Sequence, residues 1–174
     1  MNKNILSLLS VLVFAFCTGQ SNNVKEKKTE QEKYLENAIY QISSRDKGMI
    51  AAIETARKTF YKFENALKSG NPNFKNFGLK KAFKSDQGDE FLWISPVLYS
   101  KELNKYAGTV NSPPVYTKEV KHDEVVEIEK NEISDWIYFD NGILQGGYTI
   151  RILRDRMTKE ERKEFDEKSG YKFE

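Results

Sequence analysis

The stretch Ile133-Ser134-Asp135-Trp136-Ile137-Tyr138-Phe139-Asp140-Asn141-Gly142 decides how the chain is read. Isoleucines and aromatics dominate its first seven positions, which is strand composition. Asp140-Asn141-Gly142 then supplies a tight turn with Asn-Gly at its centre. Working upstream, Val125 to Ile128, Val115 to Thr117, Tyr106 to Val110, Phe91 to Tyr99 and Phe77 to Phe83 are further strand candidates. They are separated by Lys118 to Glu124, by Asn111-Ser112-Pro113-Pro114 and by the turn-rich Ser85 to Asp89. Pro96 lies inside one candidate and marks an edge or a bulge. Short strands at this spacing predict a strongly curved antiparallel sheet or a small barrel.

Helices bracket the strands. Asp46 can cap a helix whose apolar positions are Met49, Ile50, Ile53, Ala56, Phe60, Phe63 and Leu67, and Gly70 supplies the stop. Downstream of the hairpin, Tyr148 to Arg156 precedes a helix that begins at Thr158. Thr158 and Glu161 have capping-box spacing, and Phe165 is its main apolar contact. The fold class is therefore α+β: an N-terminal helix packed on the sheet or barrel, then a C-terminal helix, in one domain over 45–174.

Before that domain the chain changes character. Lys3 followed by the apolar run Ile5 to Phe16 reads as a signal peptide over 1–19. The run falls short of the ~20 residues of a membrane-spanning helix. Cys17 and Gly19 suit an ordinary cut that releases a soluble chain from Gln20. Acylation at Cys17 is the alternative, giving an outer-envelope lipoprotein, and membrane attachment is expected only in that case. Residues 20–44 form a polar tether, with a candidate short helix on Tyr34, Leu35, Ala38, Ile39 and Ile42. Cys17 is the single cysteine, so neither product has an internal disulfide. The expected location is the periplasm or the outside of the cell.

Lys and Arg number 28 against 26 Asp and Glu, and the net charge of +2 argues against a nucleic-acid partner.

One set of residues is more specific than these patterns. Ile133 to Tyr138, Gly142, Leu144, Gly146-Gly147-Tyr148-Thr149-Ile150-Arg151 and Leu153-Arg154 resemble the end of the YegJ-like family, domain of unknown function 2314. Ala52 to Phe60, Glu90 to Trp93, Gly108 and Asn111 to Val115 agree in order, so the resemblance spans Arg45 to Asp166. It implies no catalytic residue and no cofactor.

Candidate chemistry centres on the glycine pair. In the Gly146-Gly147-Tyr148-Thr149 turn, paired glycines before a helix start free backbone amides that could hold an anion, with Arg151 or Arg154 adding charge. The plainer reading is that the glycines allow positive φ or close packing beneath Trp136. Asp135 and Trp136 could hydrogen-bond and stack on a ligand; the plainer reading has Asp135 capping a turn and Trp136 filling the core. These eight residues, Asp135, Trp136, Gly146, Gly147, Tyr148, Thr149, Arg151 and Arg154, are the candidate ligand site. His122, Asp123 and Glu124 lack metal-ligand spacing, and no nucleophile elbow precedes a helix, so no catalytic or metal residue is assigned. The tail from Arg151 to Lys168 alternates acids and bases, as a solvated helix or a docking surface does.

Three functions fit. The first is a non-catalytic binding or protein-interaction module of the envelope, with a protein partner or a small anionic ligand. The second is a small hydrolase using a carboxylate, which requires Asp135, Thr149 and Arg151 to converge on a water-accessible pocket. The third is an immunity-like inhibitor of a secreted toxin.

Overall fold

The computed structural model describes residues 46–174. The signal peptide expected over 1–19 and the tether expected over 20–44 lie outside the described residues.

Helix α1 runs Lys47–Ser69. The Asp46 carboxylate opens it by accepting the amides of Gly48 and Met49 at 2.8 and 3.1 Å. Gly70, at φ 64°, ends it. Its buried stripe is Met49, Ala52, Ala56, Phe60, Phe63 and Ala66. Ile50, expected on that stripe, is 42% exposed because it sits about 100° around the helix from Met49.

Six strands follow: β1 Phe74–Ser85, β2 Gly88–Ser100, β3 Lys105–Val110, β4 Val125–Ile128, β5 Ile133–Asp140 and β6 Ile143–Gly146. They pair antiparallel in the order β4-β3-β2-β1-β5-β6. The sheet is open, so the barrel alternative does not form. Register shifts interrupt β1–β5 twice and β2–β3 once, and such shifts bend a sheet locally. Pro96 sits at the β2–β3 shift, between Ile94 and Val97. It is thus a bulge in an interior strand. The β5–β6 turn has positive φ at both Asn141 (49°) and Gly142 (84°), the type I′ geometry that Asn-Gly favours.

Val115 to Thr117 is not a strand. The side chain of Glu90 takes its three consecutive amides, at 2.7, 2.9 and 2.7 Å, leaving none of them for a ladder.

The tail is two helices, α2 Tyr148–Asp155 and α3 Lys159–Ser169, rather than one continuous run. The Thr158–Glu161 capping box opens α3. A bidentate pair at 2.7 Å from Arg154 to Asp166 ties the two helices together.

Strand alternation sorts the core onto two faces. Leu79 pairs with Trp136 on the α1 side, where the Trp136 indole donates to the Ala56 carbonyl at 2.9 Å. Phe60, Phe63 and Tyr106 pack there as edge-on and stacked rings. The neighbouring pair, Lys80 and Asp135, points the other way. Ile137, Leu144 and Ile150 form a second cluster, with Trp93, Phe139, Phe165, Tyr171 and Phe173 against it.

Candidate functional site

A strand acid and a strand lysine meet beneath the start of α2. Gly146 and Gly147 have φ of 72° and 63°, and the residue before the helix has no side chain with which to cap it. Asp135 supplies the cap from β5. Its Oδ1 accepts the amides of Trp136 and Tyr148 at 2.8 and 3.2 Å. Its Oδ2 accepts the amide and the hydroxyl of Thr149 at 2.8 and 2.6 Å. Every bond arrives at the carboxylate as acceptor, which is how an ionised acid is satisfied. Lys80 Nζ then donates to the Thr149 hydroxyl at 3.3 Å.

Both charged groups are out of water, at 0% exposure for Asp135 and 7% for Lys80. Burial pushes the Asp135 carboxyl above its ordinary range, opposed by Thr149, Lys80 and the Trp136 amide. Burial likewise pushes the Lys80 ammonium down, against the pull of Asp135. Removing one partner would strand the other in a low-dielectric site.

Lys80 and Thr149 also form the polar floor of a groove of about 440 Å³. Its walls are apolar: Met49 and Ile53 of α1, Phe91 and Trp93 of β2, Leu153 of α2 and Phe165 of α3 all contribute. Glu90 of β2, 6% exposed, borders it beside the 112–116 loop. A mostly apolar cleft of this size with a few convergent polar groups has the form of a small-molecule site, which typically measures roughly 300–1,000 Å³.

Residues 46–173 match the family described as "uncharacterized protein conserved in bacteria (DUF2314)". The chain belongs to the DUF2314 family. Among its relatives is YegJ of Escherichia coli K12, 30% identical over 113 residues, covering 65% of this chain and 71% of YegJ. Another, from Neisseria meningitidis serogroup B, is described as an ankyrin repeat protein. It is 34% identical over 146 residues, covering 79% of this chain but only 57% of that protein's length. No solved structure matches.

Within this DUF2314 domain the eight candidate residues separate into groups. Asp135, Tyr148 and Thr149 meet at the helix start, where the amides freed by the glycine pair hold the protein's own carboxylate. Trp136 is 1% exposed and lies on the α1 face. Arg151 turns back to the carbonyls of Gly146 and Leu144, at 2.9 and 2.8 Å, and lies over the Phe173 ring. Arg154 is held by Asp166 and stacks on the same ring. The convergence that the hydrolase alternative requires is therefore absent: Asp135 is inaccessible and Arg151 faces elsewhere.

In the charged loop, His122 Nδ1 lies 3.0 Å from Asp123 Oδ2, and Glu124 accepts the Lys121 amide. Among the described residues no group of three or more His, Cys, Asp or Glu side chains could hold a metal ion, and no helix is long and apolar enough to cross a membrane.

Lys80 escaped sequence reasoning. It stands between Leu79 and Lys81 in a strand with lysines at both outward and inward positions, and the pattern does not say which of them is buried. The role of Glu90 was equally hidden, since strand acids are plentiful and only the fold brings the 115–117 amides to this one.

Proposed function

We propose that this chain is an exported, non-catalytic binding module of the cell envelope, working in the periplasm or outside the cell. The observation that carries the binding function is the groove over Lys80 and Thr149, with apolar walls and buried polar groups at its floor. Export rests on the charged start and apolar run of residues 1–19.

A protein partner is the second reading, and the outer end of the sheet favours it. Leu98 of β2 and Val125 of β4 are 73% and 70% exposed. Strand register places Leu98 opposite Ala107 and Val125 opposite Thr109, so the two share one face. The far edge, β6, is covered by the C-terminal segment through the Leu144 amide and the Lys172 carbonyl, at 2.8 Å. β4 is the edge left for strand addition among the described residues. The relative described as an ankyrin repeat protein supports this reading, because stacked repeats present extended binding surfaces. A toxin-blocking inhibitor would be one case of it.

Two variants separate these readings. Leu153→Trp fills the groove, and Leu98→Lys/Val125→Lys places charge on the outer face. Each is compared with the wild-type mature chain for what it retains from envelope extract. Retention lost only in Leu153→Trp supports the groove; retention lost only in the double variant supports the sheet edge. Retention unchanged in both overturns the proposal.

A further inference from the structure

We propose that the groove takes an uncharged amphiphile, a hydrocarbon body carrying one hydrogen-bond-accepting oxygen that Lys80 Nζ reads. This rests on the groove being the binding site and adds the chemistry of its occupant.

The argument starts from unused donors. A lysine ammonium has three N–H groups. Among the described residues, Thr149 Oγ1 is the hydrogen-bond partner of Lys80 Nζ, at 3.3 Å. That leaves two donors with no hydrogen-bond acceptor among the described residues, on a side chain that is 7% exposed and lines the groove, and buried donors are as a rule satisfied by an acceptor. The Trp93 ring lies 5.5 Å from the ammonium, a contact that takes up no directed N–H bond.

The surrounding charge decides which acceptor fits. Asp135 touches the same Thr149 hydroxyl, and Glu90 lines the same groove. A ligand carboxylate would bring a second anion to one buried ammonium that already stands across the strands from Asp135. One shared cation does not offset that desolvation. A ligand cation fares no better. Both oxygens of Asp135 are occupied by the amides of Trp136, Tyr148 and Thr149 and the Thr149 hydroxyl. Both oxygens of Glu90 are occupied by the amides of Val115, Tyr116 and Thr117. A cation would find Asp135 saturated and a single acceptor site left on Glu90 Oε1, too little to offset its own desolvation. A neutral carbonyl, such as an ester or an amide oxygen, accepts from Lys80 without disturbing either carboxylate. The hydrocarbon body then lies along Ile53, Leu153, Phe165 and the adaptable Met49 and Met157.

Three probes of equal chain length test this with the full mature chain: methyl octanoate, octanoate and octylammonium. Affinity is read by isothermal titration and by the shift in Tm. Methyl octanoate should bind, and the two charged probes should bind about tenfold or more weakly, the scale of one hydrogen bond to a charged donor. Lys80→Met should lower the ester's affinity by about the same factor, and Leu153→Trp should abolish binding of every probe. If Lys80→Met does not fold, the wild-type probe ranking with Leu153→Trp still decides. A charged probe binding as tightly as the ester overturns the neutral-acceptor assignment and leaves the groove standing. No binding of any probe to the wild-type chain overturns both.

Discussion

The Thr149 hydroxyl donates to Asp135 at 2.6 Å while it accepts from Lys80 at 3.3 Å, so one side chain joins the two buried charges of the domain's second face. Helix caps are usually local, a Ser, Thr, Asp or Asn immediately before the first turn. Here Gly147 occupies that place without a side chain, and the cap arrives from β5. Helix α2 is therefore fixed to the sheet by the same bonds that satisfy its free amides.

Removing the acid should be costly. Asp135→Ala leaves the α2 amides without an acceptor and Lys80 buried without its counter-charge. The expected loss is about 3–5 kcal/mol of unfolding free energy, the range for breaking one half of a buried pair. Asp135→Ala with Lys80→Met should cost less than the sum of the two single changes, because the second removes the orphaned cation. Urea unfolding of all four proteins measures this. Additivity to within about 0.5 kcal/mol would rule out the coupling.

The glycine turn gives a second expectation through steric contrast. A methyl group at Gly146 would meet the Trp136 carbonyl oxygen at 2.2 Å and the indole edge at 2.5 Å, with φ already at 72°. At Gly142, φ is 84° but no heavy atom lies within 4 Å. Gly142→Ala should therefore cost only the left-handed backbone penalty, about 1–2 kcal/mol. Gly146→Ala adds a backbone clash under a buried tryptophan and should leave little soluble protein. Comparable melting temperatures for the two variants would contradict this.

What could be read from the sequence followed local rules. Asp46, Gly70, Asn141-Gly142 and the Thr158–Glu161 box each act within a few residues, and each does in the structure what its local chemistry predicts. The open sheet was not separable from a barrel, because closure depends on shear and strand tilt, which single strands do not encode. Val115 to Thr117 looked like a strand since its residues favour extended backbone; the deciding group was Glu90, some 25 residues away. The glycine pair was legible as an amide-donating turn. Asp135 was legible as a turn cap, but not that the turn it caps is this one, since only the β5–β6 hairpin brings Asp135 beneath Tyr148 and Thr149.

Acid should loosen the start of α1 from the junction between α2 and α3. Asp46 both caps α1 and pairs with Arg156, which donates through Nη1 and through Nη2 at 2.8 Å. The Arg156 bond, then the Met49 amide, hold its carboxyl down from 3.8 to about 2. A depressed acid stabilises the fold fully above its unfolded value, and the contribution is lost as pH falls through the folded value. Asp46→Asn keeps a capping oxygen but loses the charge. The wild-type advantage over Asp46→Asn in urea midpoint should hold at neutral pH and shrink between 3.8 and about 2. A gap that stays constant across that window would mean that the pair adds nothing to stability.

Glu90 should control the order of the loop that borders the groove. Its Oε1 accepts the Val115 amide and its Oε2 accepts those of Tyr116 and Thr117. Glu90→Gln preserves size but turns one acceptor oxygen into an amide donor, which must face at least one of these N–H groups. The cost should be about 1–3 kcal/mol, the penalty for a buried donor left unsatisfied. The loss should also be local, because Thr117 keeps a second anchor through its hydroxyl on the Lys84 carbonyl at 2.6 Å. Hydrogen exchange separates this from general destabilisation: the amides of 115–117 should exchange faster in the variant while those of β5 keep their protection. Uniform acceleration across the sheet would show that Glu90 supports the whole fold rather than one wall of the groove.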